Sequence, residues 1–326
     1  MPGKRLLSIA VGLSALIGAT AATNAFAQTT WPTKPIRLVV PFAPGGANDL
    51  MARAAAEGAS KALGQQVIVD NKPGAGTTLG AEIVARAAPD GYTFLVSAAG
   101  VISNSMIKRK MPYKDEQLVP VAMIALAPSV VVVPAASPYK DLKDFVEASK
   151  KSSTGFHWAT AGTGSTPHFV EGLLQTKYGA KLDVVPYKSG AESITAVLGN
   201  QIEATSEASI VVLPYVKNGQ LKALAGTWTQ RISAYPQLPT AVEEGFPDIQ
   251  IAHWAGVHAP RGTPDAILDK MAAAVDAAMK DPTIAGRLKA VGIEPIGGTR
   301  ASFVKFTDEE RARLGGVVKA TGMVED

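Results

Sequence analysis

No cysteine occurs among the 326 residues. Disulfide staples, thiolate metal ligands and a lipid-modified cysteine at an N-terminal cleavage site are therefore excluded. Histidine is scarce, and His157, His168, His253 and His258 form neither an H-E-x-x-H motif nor an i, i+4 pair, so the common zinc patterns are missing. Charge of one sign is lacking too. Lys and Arg number 32 against 28 Asp and Glu, and past the first few residues no basic run appears, which argues against a nucleic-acid partner. Charged residues make up only 18% and apolar ones 47%. That is too apolar for a disordered chain, and no collagen-like or coiled-coil bias is present.

Apolar runs of spanning length are missing beyond the N-terminal segment, so the mature chain is expected to be soluble. At the N-terminus, Lys4 and Arg5 precede an uncharged stretch over residues 6–19, and Ala25-Phe26-Ala27 fits a small-x-small cleavage site. Residues 1–27 read as a secretory signal with Gln28 as the mature start, which predicts a periplasmic protein. Removing them takes Lys4 and Arg5 away and halves the formal charge of +4.

Short β-branched runs alternate with Ala-rich stretches of helical spacing, the pattern of βαβ units on a mainly parallel sheet. Strands are expected at 36–40, 67–69, 93–96, 156–160, 182–185, near 202–205 and at 221–225. Helices are expected at about 49–63, 79–87, 142–150, after Pro167, and at 192–198, 211–217, 282–290 and 302–319, the last two on the outside. Pro264 opens a further helix. Two apolar runs, 119–126 and 129–133, flank Ala127-Pro128 with no helix between them, so a crossing between two lobes is placed there. The stretch 249–257 is expected to return the chain to the first lobe. The division is 28–126 with 253–326 for one lobe and 127–252 for the other.

Two similar strand–loop–helix junctions carry the chemistry. One is Pro41-Phe42-Ala43-Pro44-Gly45-Gly46-Ala47-Asn48-Asp49; the other is Thr160-Ala161-Gly162-Thr163-Gly164-Ser165-Thr166-Pro167-His168. Glycines permit close backbone approach, and each helix start offers unpaired N–H groups at a positive dipole end. Facing each other across a cleft, such loops make a carboxylate trap; singly, each is also an ordinary capped turn. Ser165 reads as a donor at the helix start, and His168 either points into the cleft or satisfies a local bond. A serine hydrolase using Ser165 and His168 is the enzyme alternative, but no G-x-S-x-G elbow occurs. Gly74-Ala75-Gly76-Thr77-Thr78-Leu79-Gly80 is spaced G-x-G-x-x-x-G and so misses the dinucleotide fingerprint. Trp158 and Trp254 fit either the cleft wall or the core. Glu207, placed after a strand, fits either a ligand's polar end or a solvated loop.

In order along the chain, these motifs resemble the tripartite tricarboxylate transporter solute receptors, the Bug family. The matching stretches are Trp31-Pro32-Thr33-Lys34-Pro35-Ile36-Arg37, the Pro41 to Gly46 loop with Asp49, Asn71-Lys72-Pro73-Gly74-Ala75-Gly76 and Pro89-Asp90-Gly91-Tyr92-Thr93. Gly164-Ser165-Thr166-Pro167-His168, Val185-Pro186-Tyr187-Lys188, Leu238-Pro239-Thr240 and Ala259-Pro260-Arg261-Gly262-Thr263-Pro264 follow. The resemblance implies an α/β, two-lobed type II periplasmic binding-protein fold with the ligand cleft between the lobes. It implies a monomeric receptor, not an enzyme, that needs no cofactor or metal. Such a receptor hands a small organic acid to the large and small membrane subunits of a tripartite transporter; a sensor docking on a kinase ectodomain is the alternative. Carried over, the contacts are Phe42, Ala43, Gly46, Ala47, Asn48 and Asp49 in one loop and Thr160, Ala161, Thr163 and Ser165 in the other, with His168 beside them. Ala99, Gly100, Lys188 and Glu207 complete the set. Ser97-Ala98-Ala99-Gly100-Val101 is less polar than the family's usual version, and Glu207 stands where Asp is frequent. An apolar far wall favours an aromatic or aliphatic mono- or dicarboxylate over citrate, while Glu207 suits an ammonium or hydroxyl.

Overall fold

The computed structural model describes residues 31–187 and 189–324; the signal expected over residues 1–27 and Lys188 lie outside them. In chain order the first βαβ units are β1 (Ile36–Val40), α1 (Ala47–Leu63), β2 (Val67–Asn71), α2 (Thr78–Ala85), β3 (Thr93–Ser97) and α3 (Gly100–Ile107). Next come the long β4 (Leu118–Pro134), then α4 (Leu142–Lys151), β5 (Phe156–Thr160), α5 (Thr166–Tyr178), β6 (Leu182–Pro186), α6 (Gly190–Leu198), β7 (Ala204–Ala208), α7 (Ser209–Lys217) and β8 (Leu221–Gly226). The chain closes with β9 (Ala252–Pro260), α8 (Asp265–Lys280), α9 (Pro282–Ala290), the short β10 (Glu294–Pro295) and α10 (Arg300–Thr321).

β1 has the sequence IRLVV and is buried on both faces, as a central parallel strand requires. It pairs in parallel with β2 and β3, and β9 joins β3 antiparallel. In the second lobe β5 pairs in parallel with β6 and β7. β4 belongs to both: its first part, to Pro128, runs antiparallel to β9, and from Ser129 onward it pairs with β7 and β8. The result is a two-lobed α/β fold, in which parallel strands end in loops at the carboxyl edge where ligands bind.

The expected strands at 119–126 and 129–133 are therefore one strand. Pro128 sits at the last β9-paired position, where pairing passes from β9 to β7 and β8, a margin at which a missing N–H is best tolerated. The strand expected near 202–205 is displaced to Ala204–Ala208, all of it buried. Its residues are small and polar, and Thr205 satisfies its hydroxyl on the Ala159 carbonyl at 2.8 Å. α3 was not expected, since it opens on Gly100 without a side-chain cap. α10 is not an outer helix only: Phe303 and Leu314 are fully buried, and it packs on β4, α3 and α5.

Candidate functional site

A cavity of about 270 Å³ lies where α1, α2, α3 and α5 begin, and β7 and β9 close its floor. Phe42 and Asn48 reach it from the first loop, Ala161, Thr163 and Ser165 from the second, and Ala99, Gly100 and Glu207 complete the expected residues found in its wall. No Lys or Arg side chain lines it among the described residues. Positive potential there comes from helix N-termini, whose first N–H groups have no intrahelical partner.

Asn48 is fixed by its Nδ2, which donates to the Trp254 carbonyl at 2.9 Å. Ala43, Gly46, Ala47 and Asp49 are not in the wall: Ala43 and Gly46 are exposed, Ala47 is half-buried and Asp49 is buried. Asp49 is a loop organiser instead of a contact: its carboxylate accepts from the Gly45 N–H (2.9 Å), Arg53 Nε (2.8 Å) and Asn71 Nδ2 (2.8 Å). Burial raises its pKa, but the bonds from Arg53, Gly45 and Asn71 outweigh that and hold it below the usual value. It stays charged, and neutralised locally, at neutral pH.

The second loop is knotted onto itself. Gly164, at φ +71°, supplies a left-handed turn that side-chain-bearing residues disfavour. Ser165 Oγ donates to the Gly162 carbonyl at 2.7 Å, so its proton is engaged in the loop, and it is not the free donor the sequence suggests. His168 turns away from the cavity and accepts from the Gly164 N–H through Nδ1 at 3.3 Å. Burial lowers its pKa, consistent with a neutral acceptor. Serine and histidine are thus bonded to different loop atoms, and the nucleophile–base contact of a hydrolase is not made. Thr160 is buried with no partner for its hydroxyl and sits outside the wall, while Lys188 lies outside the described residues.

Residues not singled out as contacts also line the cavity: Gly76, Thr77, Ala98, Asn104, Gly164, Thr166, Pro167 and His253. Of the two tryptophans left open, Trp254 is in the wall, whereas Trp158 is core, its Nε1 donating to the Pro167 carbonyl at 3.0 Å. The Gly76-Thr77 segment belongs to the glycine-rich turn whose spacing misses the dinucleotide fingerprint. Thr77 holds φ +78°, a conformation β-branched residues seldom adopt. Asn104 of α3 braces it, its amide donating to the Gly76 carbonyl (2.8 Å) and Thr77 Oγ1 (3.3 Å).

Two polar side chains in the wall are unsatisfied. Glu207 is the penultimate residue of β7, 5% exposed, and not in a solvated loop; its Oε1 has no hydrogen-bond partner. Burial pushes its carboxyl up to about 8, against which only the Ala208 N–H acts. Burial pulls His253 down to about 4, and its Nε2 is likewise without a partner.

The family model for the tripartite tricarboxylate transporter family receptor matches residues 51–323. The chain belongs to that family. It is 33% identical to Protein BugT of Bordetella pertussis over 317 residues, covering 95% of this chain and 97% of the relative. Rpa4515 of R. palustris, solved with adipate, is 30% identical at a TM-score of 0.80, over 90% of this chain and 99% of that one. MatC of Rhodopseudomonas palustris, solved with bound malate, is 30% identical at a TM-score of 0.76, over 88% and 100%. Family members are periplasmic solute-binding receptors and not enzymes, and the chain is a receptor of this kind.

Proposed function

We propose that this receptor captures a small aliphatic or aromatic mono- or dicarboxylate by lobe closure in the periplasm, as a monomer. It then delivers that acid to the membrane subunits of a tripartite transporter. The observation that carries the reading is a cavity walled by helix starts with no described Lys or Arg side chain in it. Such a site binds an anion through N–H groups and dipoles, and the adipate and malate in two related receptors support it. The apolar patch of Ala98 and Ala99 favours a chain or ring over a third carboxylate. We place the lobe limits at 28–126 with 253–326 and at 127–252, the hinges near 125–128 and 251–258, and export under a signal over residues 1–27.

A thermal-shift panel of mono-, di- and tricarboxylates, aromatic acids, amino acids and sugars tests the ligand class. A bound ligand at a hundred times its Kd adds about 2.7 kcal/mol to native-state stability. Stabilisation by mono- or dicarboxylates is expected. If citrate-like acids alone act, the preference fails; if sugars act and no carboxylate does, the ligand class is wrong. Co-purification with, or uptake through, the membrane subunits tests delivery.

A further inference from the structure

Glu207 presents a geometric problem that anion capture by helix starts does not solve. It stands on the cavity wall with Oε1 unpartnered, and the first turn of α6 presses on it: a Cβ built on Gly190 would lie 2.7 Å from its carboxyl group. Only glycine lets the backbone come so close. No described cation faces it in the wall. An ionised carboxylate here would oppose any anion bound nearby, since a like charge in one small site disfavours the ionised form.

We infer that Glu207, as the neutral acid, is the specificity-determining donor for a second carboxylate on the ligand, so that the receptor is a dicarboxylate receptor whose binding carries a proton. The inference rests on the carboxylate reading above and narrows it. The acid's O–H is directed to the ligand's far carboxylate, giving a charge-assisted hydrogen bond and removing the repulsion. His253 supplies the second unsatisfied polar atom in the wall, Nε2.

Among the described residues, the surrounding titratable groups leave Glu207 as the one whose charge reports on the cavity above neutrality. β4 has no titratable side chain, and α7 has Tyr215 and Lys217 only toward its end. On α6 Glu192 is exposed. His253 on β9 and His168 on α5 are both held neutral by burial. Glu171 on α5, beside Asp183, is pushed up to about 7 by burial but does not line the cavity, so a Glu171→Gln control separates it. On β5 His157 is exposed, and Lys188 lies outside the described residues.

The test uses the mature protein, with α,ω-dicarboxylates of four to seven carbons, the matching monocarboxylates and the matching ω-amino acids. Calorimetry from pH 7 to 9.5 covers a range in which these dicarboxylates are ionised at both ends. The tightest dicarboxylate should bind about tenfold more tightly than its monocarboxylate, and its Kd should rise with pH above 8 with a slope that approaches tenfold per pH unit, in wild type and in Glu171→Gln. At pH 8.5, paired buffers of different ionisation enthalpy should show roughly three-quarters of a proton taken up per ligand bound. Glu207→Gln, whose amide donates at every pH, should flatten the profile and bind more tightly than wild type at pH 9.5. Preference for the ω-amino acid, with loss of binding in Glu207→Gln, would overturn the inference in favour of an ionised Glu207. So would a pH-independent, proton-neutral dicarboxylate in the wild type, which needs no variant to fold. Both of these leave carboxylate capture standing; if no carboxylate binds, the two readings fall together.

Discussion

The three donors on Asp49 gather a loop, a helix and a strand onto one carboxylate: Gly45 before α1, Arg53 within it and Asn71 at the end of β2. Asn71 Nδ2 also donates to the Phe42 carbonyl at 3.0 Å, so the network holds the backbone of a cavity-wall residue. Asp49→Ala should therefore lower stability by about 1–2 kcal/mol, because three part-buried hydrogen bonds lose their shared acceptor. Ligand affinity should fall with it as the loop relaxes. The sign of the pH effect follows from the depressed folded-state pKa. The contribution is fully present above about pH 5 and is lost as pH falls from the ordinary carboxylate value of about 4 through the lower folded value. Denaturant unfolding of wild type and variant at pH 7 and pH 3 checks this; the gap should narrow at pH 3. At this scale the sequence told which loops reach the cavity more reliably than which of their side chains line it. Asp49, Ser165 and His168 are polar residues in glycine-rich loops, and composition does not distinguish a side chain that shapes the loop from one that leaves it. For Glu207 two readings stood side by side, a ligand's polar end or a solvated loop, and its burial in β7 removes the second; the strand is made of small polar residues and carries no apolar signature.

Elements were more legible where burial and period coincide. β1, α1, β5 and α8 follow from apolar patterning, whereas α3 begins at a glycine and β4 contains Pro128, local features that contradict the element they belong to. Tertiary packing decided both. The same conflict between local preference and packing can be tested in α1 at Gly58. Alanine is favoured over glycine in a helix interior by about 1 kcal/mol. Yet a Cβ on Gly58 would fall 2.3 Å from the Ala278 Cβ and 2.6 Å from its Cα, on the facing helix α8. The obstruction includes backbone, so α1 and α8 would have to separate, at about 1–3 kcal/mol for overpacking. Packing should win: Gly58→Ala is expected to lower the melting temperature in a thermal scan, where a helix-propensity argument alone predicts a rise. A higher melting temperature would mean that the two helices part at little cost.

On the scale of the whole molecule, the proposed closure depends on how the chain passes between lobes, and the passage is a buried junction more than a loop. β4 at Ser129, the segment after β8 at Thr227 and the segment before β9 at Ile251 meet there. Thr227 N donates to the Ser129 carbonyl and Ile251 N to the Thr227 carbonyl, both at 2.8 Å. Thr227 Oγ1 reaches the Ser129 carbonyl at 3.1 Å and also the Ile251 carbonyl. α10 ties in beside it, since Arg313 donates to the Gln250 carbonyl and Trp254 Nε1 donates to Glu310 at 3.3 Å. A ligand that bonds both lobes favours the closed population by its differential affinity, and the junction has only to bend. The Thr227 hydroxyl joins crossing segments to each other and makes no wall of the cavity. Thr227→Val keeps the shape and removes that donor, so stability should drop by about 1–3 kcal/mol. The radius of gyration from solution scattering should still shrink when a saturating dicarboxylate is added, in wild type and variant alike. A variant that bound the ligand without contracting would instead assign the pivot itself to this hydroxyl, because binding and bending would then have come apart at a single buried atom.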